Sequence, residues 1–350
     1  MSTDPNAALA TTFQSLKSRA ERVSTSAQLT QLVRDLATTT DRVDRLPEDI
    51  ATLRRRGYAF AAYLEHKLDV LQERWASARQ ETEAALRGEV DHLRTKAREL
   101  DALVSKGVTA QQHPAVLQTV IERLDNELGG LERNVSAAES RLRSRFDSIK
   151  RDVDQTVTQV SDITWYLDRA DEASFEFLAG EKLFLVAEAE WQKTGRGGDD
   201  PDGFIYLTDQ RLVFEQKEKT GKKFGLFGGQ MTQEKEWDIP LHQVEHVTAE
   251  NKGLFGGKDL LHFTFGSGAP FAQTTVEVKG KAKCKFWEAQ IQRMIRGETN
   301  DERAIQPDTE TLEAIRNAPT ACHVCGATLP MLVASQRQLE CQYCGTVIRI

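Results

Sequence analysis

The chain has 350 residues, 39% of them hydrophobic and 28% charged, with a formal net charge of −7 and five cysteines. That length allows two or three domains, and no apolar run approaches the roughly 18–20 residues a membrane span needs. The acidic balance holds in the N-terminal half, the middle and the tail alike, so no segment is a basic domain of the kind that grips a phosphate backbone. Nucleic acid is therefore not an expected partner. The N-terminal MSTDPNAALATTF has neither the basic start nor the apolar stretch of a signal peptide, and four of the five cysteines fall in two Cys-x-x-Cys pairs. Both features suit a reducing cytoplasm, with peripheral attachment at the inner face of a membrane as the extension of that expectation.

Residues 1–170 read as an all-α coiled coil. Apolar residues recur at spacings of three and four: Leu32, Leu36, Val43, Leu46, Ile50 and Leu53, then Leu64, Leu68, Leu71 and Trp75, then Leu117, Ile121, Leu124, Leu128 and Leu131. This is a heptad-type seam with occasional stutters. Helix breaks are expected near 47, where Pro47 suits the first turn of a new helix, and across 105–114. A loop that short makes the flanking helices an antiparallel hairpin, roughly 80 Å long at ~1.5 Å per residue. Such a hairpin buries only its seam, so the first helix or a second chain has to cover it, and self-association is expected. The basic clusters Arg54-Arg55-Arg56 and Arg141/Arg143/Arg145 have acidic neighbours and read as solvated helix faces.

Between 175 and 296 glycine and aromatics rise, and period-two runs replace the heptads. Strands are expected at 182–191, 204–208, 211–217, 234–239, 243–249, 259–265 and 274–278, followed by an amphipathic helix at 281–296 with Cys284, Trp287, Ile291 and Ile295 on one face. The stretches GEKLFLVAEAEW, GFIYLTDQRLVF, WDIPLHQVEHV and FWEAQIQRMI resemble a GRAM or bacterial pleckstrin-homology-like domain. The resemblance implies a bent β-barrel corked by its last helix, acting as a non-catalytic module that docks on a membrane or a protein. The first hairpin, QKTGRGGDDPDG (192–203), carries three aspartates against one Lys and one Arg, which departs from the phosphoinositide-binding members.

The phrase GLFGG occurs twice in this region, at 225–229 and 253–257. Both copies fall between expected strands, where glycine supplies the positive φ of tight turns. Leu226, Phe227, Leu254 and Phe255 either pack on the rim of the domain or enter a bilayer or a partner's groove. In the second case Lys222, Lys223, Lys252 and Lys258 meet charge at that surface.

Residues 297–319 are polar and acidic and suit a linker with one short helical turn. The tail, 320–350, opens with Cys322-His-Val-Cys325-Gly and closes with Cys341-Gln-Tyr-Cys344-Gly. Two knuckles at this spacing resemble a zinc ribbon, in which Cys322, Cys325, Cys341 and Cys344 complete a tetrahedron ~2.3 Å from a structural Zn²⁺. So short a segment has too little core to fold alone, so metal would supply most of its stability. His323 reads as a spacer and Cys284 as a small core residue.

Two tempting motifs fall short. His242-Gln-Val-Glu245-His246 spells an inverted zinc-protease pattern, but it lies in expected strand, where residues four apart are ~13 Å from each other. Gly253-Leu-Phe-Gly-Gly-Lys258 lacks the first glycine and the Ser/Thr of a phosphate loop. No catalytic residues, enzyme activity or small-molecule substrate are therefore expected. The function read from the sequence is a scaffold or adaptor that oligomerises through its coiled coil and docks through its pleckstrin-homology-like domain. The alternative is a nucleic-acid- or transcription-associated zinc-ribbon coiled-coil protein.

Overall fold

The computed structural model describes residues 5–194, 200–220, 230–252, 257–308, 313, 319–327, 329 and 338–349. The chain divides into two compact units, Met1–Glu48 with His66–Thr158, and Asp49–Glu65 with Gln159–Ile350. The helices are α1 (Pro5–Ser26), α2 (Thr30–Arg55), α3 (Tyr63–Thr109), α4 (Pro114–Arg143) and α5 (Asp147–Asp171). Among the described residues no helix is long and apolar enough to cross a membrane.

The first unit is a helical bundle whose seam is covered from within the chain. Trp75 on α3 meets Phe146 edge-on at 6.2 Å and donates its indole N–H to the Thr40 hydroxyl at 3.2 Å, while Arg74 reaches Asp152 and Arg141 reaches Glu89. These pairs make α3 antiparallel to α4 and α5. On the other side Arg19 binds Asp125 and Glu132, Arg143 binds Asp35 and Arg42 binds Asp154, so α1 and α2 run alongside α4 and α5 in the same direction. A Cβ at Gly107 would stand 2.1 Å from the ring of the buried Phe13, which is why that α3 position carries no side chain. Burial of α3's seam against α1 and α2 removes the burial argument for a second chain.

The break expected near 47 is not there. Pro47 lies inside α2, and the helix ends only at Arg55. An internal proline removes a helix hydrogen bond at a cost of ~3 kcal/mol. Here the stripe Val43, Leu46, Ile50 and Leu53, buried throughout, offsets that cost. The stop is made instead by Gly57, whose φ of +86° lets Tyr58 N–H reach the Leu53 carbonyl at 3.0 Å. The second break is also shorter than expected, since α3 continues to Thr109.

The second unit holds seven strands: β1 (Leu183–Trp191), β2 (Asp202–Thr208), β3 (Arg211–Thr220), β4 (Gln230–Pro240), β5 (Val244–Lys252), β6 (Lys258–Phe265) and β7 (Gln273–Val278). Helix α6 (Cys284–Ile295) packs on β5 and β6. Every pairing is antiparallel, in the order β4-β3-β2-β1-β7-β6-β5. Ile205, Leu212, Phe214, Ile239, Leu261, Val276 and Ile291 are fully buried and fill the interior between sheet and helix.

The expected barrel is not closed. Following the antiparallel ladder across the sheet, its edge strands β4 and β5 run in the same direction, and no ladder joins them among the described residues. A 3₁₀ turn, Leu241–Gln243, carries the chain from one edge to the other. The supposed linker is also partly structural. Glu298–Glu302 forms a 3₁₀ turn with Thr299 buried, and Ala304 N–H donates to the Ala59 carbonyl at 2.7 Å. Ala62 N–H donates to Glu302, and Arg303 lies 4.7 Å from the Phe60 ring centroid while pairing with Asp209. Burial pushes the Asp209 carboxyl up, against the pull of that guanidinium. A two-stranded ribbon, β8 (Gln338–Glu340) with β9 (Val347–Arg349), ends the chain.

Candidate metal centre and docking surface

The candidate metal site is built from two copies of one backbone device. In the first knuckle Gly326 N–H donates to the Cys322 carbonyl at 2.8 Å and Cys322 N–H to Ala327 at 2.8 Å. In the second, Gly345 N–H donates to Cys341 at 2.8 Å and Cys341 N–H to Thr346 at 2.9 Å. Each glycine has the positive φ that folds the chain back under its sulfurs, +73° and +70°. The β8–β9 ladder, registering Leu339 with Ile348, closes the hairpin that carries the second knuckle, and Leu329 and Leu339 pack with Cys322 and Cys341 between the two.

All four sulfurs then lie within 4.8 Å of one another, with Cys322 Sγ 3.6 Å from Cys344 Sγ and Cys325 Sγ 3.5 Å from Cys341 Sγ. Four sulfurs ~2.3 Å from a common tetrahedral centre stand about 3.8 Å apart, so the donor set fits a metal ion. The Thr346 hydroxyl, 3.1 Å from Cys344 Sγ, holds that thiol down to about 6. The Cys325 thiol goes the other way. Although the Ala327 amide pulls it down, the Cys344 and Cys341 sulfurs push it up to about 12. A cation at the centre would replace protons that four crowded thiols otherwise share.

Cys322 and Cys341 are buried with Leu329, Leu339 and Ala179, while Cys325 and Cys344 face solvent. Ala179 belongs to the turn that leads into β1, so the cysteine ribbon is seated on the sheet. His323 is exposed and outside the sulfur cluster. The knuckle tips leave Val324 and Tyr343 exposed.

Of the eight expected contact residues, two lie among the described residues. Leu226, Phe227, Lys222 and Lys223 lie outside the described residues, as do Leu254 and Phe255. Lys252 is exposed at the end of β5, and Lys258 opens β6 with its ammonium 2.7 Å from Glu277. The strand ends that flank the two GLFGG copies point opposite ways. Thr220 pairs with Gln230, and Lys252 with Lys258, but β3 and β5 run in opposite directions across the sheet. The histidines of the inverted protease pattern sit one in the 3₁₀ turn and one in β5, not on one face of a helix.

Sequence reasoning passed over two arrangements. Arg211, 3% exposed, donates from Nε and Nη2 to the Glu181 carboxylate at 2.9 and 3.0 Å and from Nη2 to the Glu176 carbonyl at 2.7 Å, and it also pairs with Asp238. Burial works against its charge, and the Glu181 and Asp238 carboxylates more than compensate, raising its pKa. The second is the run Lys279-Gly-Lys281-Ala-Lys283-Cys-Lys285 at the turn between β7 and α6, whose alternating lysines stand out in an acidic chain.

No family model matches the chain, and no curated protein does. Among solved structures, the Vps36 N-terminal PH domain aligns at 14% identity over 35% of this chain and 94% of its own, with a TM-score of 0.24. A DUF1696 family protein with a pleckstrin-homology domain from Shewanella loihica PV-4 aligns at 18% identity over 33% of this chain and 78% of its own, with a TM-score of 0.20.

Proposed function

We propose that this chain is a non-catalytic scaffold whose sheet unit is a pleckstrin-homology-type docking domain for a membrane surface or a protein, and whose four cysteines hold a structural Zn²⁺. The observation that carries the docking reading is the filled interior of the sheet unit. Side chains from the sheet and from α6 occupy the space where an internal ligand would sit, which leaves the outer surface as the working part. The zinc reading rests on the donor set, because thiolates favour soft or borderline ions and four of them leave no coordination position open for chemistry. When bound, the ion would tie the two knuckles together and supply folding energy.

Metal analysis of the full chain, purified without added metal, should find one zinc per chain, and a Cys325→Ser/Cys344→Ser variant should lose it. Co-sedimentation with vesicles, alongside affinity capture from the native cell, reads the docking half. A chain that purifies with an iron–sulfur chromophore instead of zinc would sink the metal assignment. Retention by neither vesicles nor any saturable protein partner would sink the docking assignment.

A further inference from the structure

The turn that joins β7 to α6 is lysine-rich and free of acid, unlike the equally lysine-dense 217–223, which contains Glu218. Residues 279–285 carry four lysines and no acid in a protein of net charge −7. Alternation puts those lysines in unlike places. Gly280, with a φ of +68°, turns the chain after β7, and Lys279 on its inner side is held by Glu190 at 2.8 Å and Asp202 at 2.5 Å. Lys283, 67% exposed, contacts Asp259 at 3.2 Å. Lys281 is 90% exposed and only 3.9 Å from its nearest carboxylate, Asp162. Lys285 is exposed and has no partner among the described residues.

The carboxylates around this turn differ in cover. Asp259 is held by the Cys284 N–H and Asn251 as well as by Lys283, and Glu190 is largely covered. Glu188 beside Gly280 is exposed, Asp162 is half-exposed beside the far more exposed Lys281, and Glu288 is partly covered on α6. Of the turn's own residues, Lys281, Lys283 and Lys285 project outward.

The residue after Lys285 is Phe286, on the first turn of α6. It is 49% exposed, while its neighbour Trp287, at 2%, anchors the opposite face of the helix in the core. Behind the turn a cleft of about 630 Å³ runs between Phe286 and the Trp165–Tyr166 pair of α5. An exposed ring flanked by outward lysines, with apolar space behind it, suits the boundary between lipid headgroups and acyl chains. Aromatic rings settle at that level, and lysines meet the anionic headgroups.

We propose that the 279–286 turn is the membrane-docking face of this protein, with Lys281 and Lys285 meeting an anionic bilayer and Phe286 entering its interface. This inference rests on the docking reading above and chooses the bilayer over a protein as the surface engaged. It also moves the contact away from both GLFGG segments.

The test uses the full chain and vesicles of phosphatidylcholine, with and without about one-third phosphatidylserine. Wild type should co-sediment with the anionic vesicles, release as salt is raised, and ignore the neutral ones. At about fivefold per surface lysine, Lys281→Gln/Lys285→Gln should bind about 25-fold more weakly. Phe286→Ser should lose about another tenfold with its salt dependence unchanged. All three positions are exposed, so unchanged circular dichroism should accompany these losses. A control with Leu226→Ser and Phe227→Ser should bind like wild type.

Three outcomes overturn the proposal. If wild type binds anionic vesicles and the lysine variant binds equally well, this face is wrong and the docking reading stands. If only the Leu226/Phe227 control fails, the contact belongs to the GLFGG segment. If wild type binds no vesicle, the bilayer is the wrong surface and any docking is to protein.

Discussion

The buried Arg211 offers the sharpest quantitative check on how the sheet unit is held together. Its side chain is 4% exposed and that of Glu181 is 0%, so this pair is shielded from solvent on both sides. The guanidinium also lies 5.7 Å from the Phe175 ring and reaches Asp238 and the Glu176 carbonyl. Arg211→Met keeps most of the volume and removes the cation, which leaves Glu181 buried without its counter-charge. Breaking a buried pair by removing one partner costs about 3–5 kcal/mol. At a urea slope of about 2 kcal/mol per M, the unfolding midpoint should fall by about 2 M.

Equilibrium urea unfolding followed by tryptophan emission reads this directly, because Trp191, Trp237 and Trp287 are all buried in the same unit. The rescue is Glu181→Gln in the Arg211→Met background. It removes the stranded charge and keeps an oxygen for the Thr208 hydroxyl, which donates to Glu181 at 2.7 Å. The double variant should regain about 1–2 kcal/mol, a departure from additivity expected of residues in direct contact. A loss below about 1 kcal/mol for Arg211→Met, or a double variant weakened by the full sum, would refute the reasoning.

Two further outcomes follow from geometry. A Cβ at Gly203 would stand 1.9 Å from the Glu215 carbonyl oxygen, which is backbone and cannot swing away, so Gly203→Ala should lower the sheet unit's thermal midpoint by several degrees, and an unchanged calorimetric trace would contradict this. In the helical unit Asp35 accepts from Arg143 at 2.5 Å and from Gln31 at 3.0 Å. Burial raises its pKa, but those two contacts prevail and hold it below the usual 3.8. A carboxylate with a depressed folded pKa stabilises above its unfolded value and loses that contribution as pH falls through the folded one. Asp35→Asn should therefore destabilise the bundle at pH 7 and converge with wild type as acid titrations pass below 3.8, whereas a constant gap down to the lowest pH would rule this out.

What the sequence revealed and what it hid divide by range. The seven strands and the last helix were legible within a few residues because period-two alternation and turn glycines are local signals. The four-sulfur cluster was legible because a Cys-x-x-Cys-Gly knuckle encodes its own turn. Pro47 misled because the local rule for proline was overruled by an apolar stripe that extends past it on both sides. The available stop signal was Arg54-Arg55-Arg56-Gly57, basic residues followed by glycine. Closure of the sheet could not be read at all, since it depends on the relative directions of β4 and β5 at opposite edges. The pairs Glu181–Arg211 and Asp209–Arg303, 30 and 94 residues apart, carry no periodic trace. Nor does the seat of the cysteine ribbon on Ala179.

The hydrogen bond between Gln159 and Tyr63 has an architectural consequence. The chain leaves the sheet unit through α3 and re-enters it through α5, and that bond holds the points of departure and return together. In topological terms the segment between them is an excursion whose two ends are pinned within the sheet unit. Because both of its ends are fixed within one unit, the order of the strands and the sulfur cluster does not depend on how the residues between them fold.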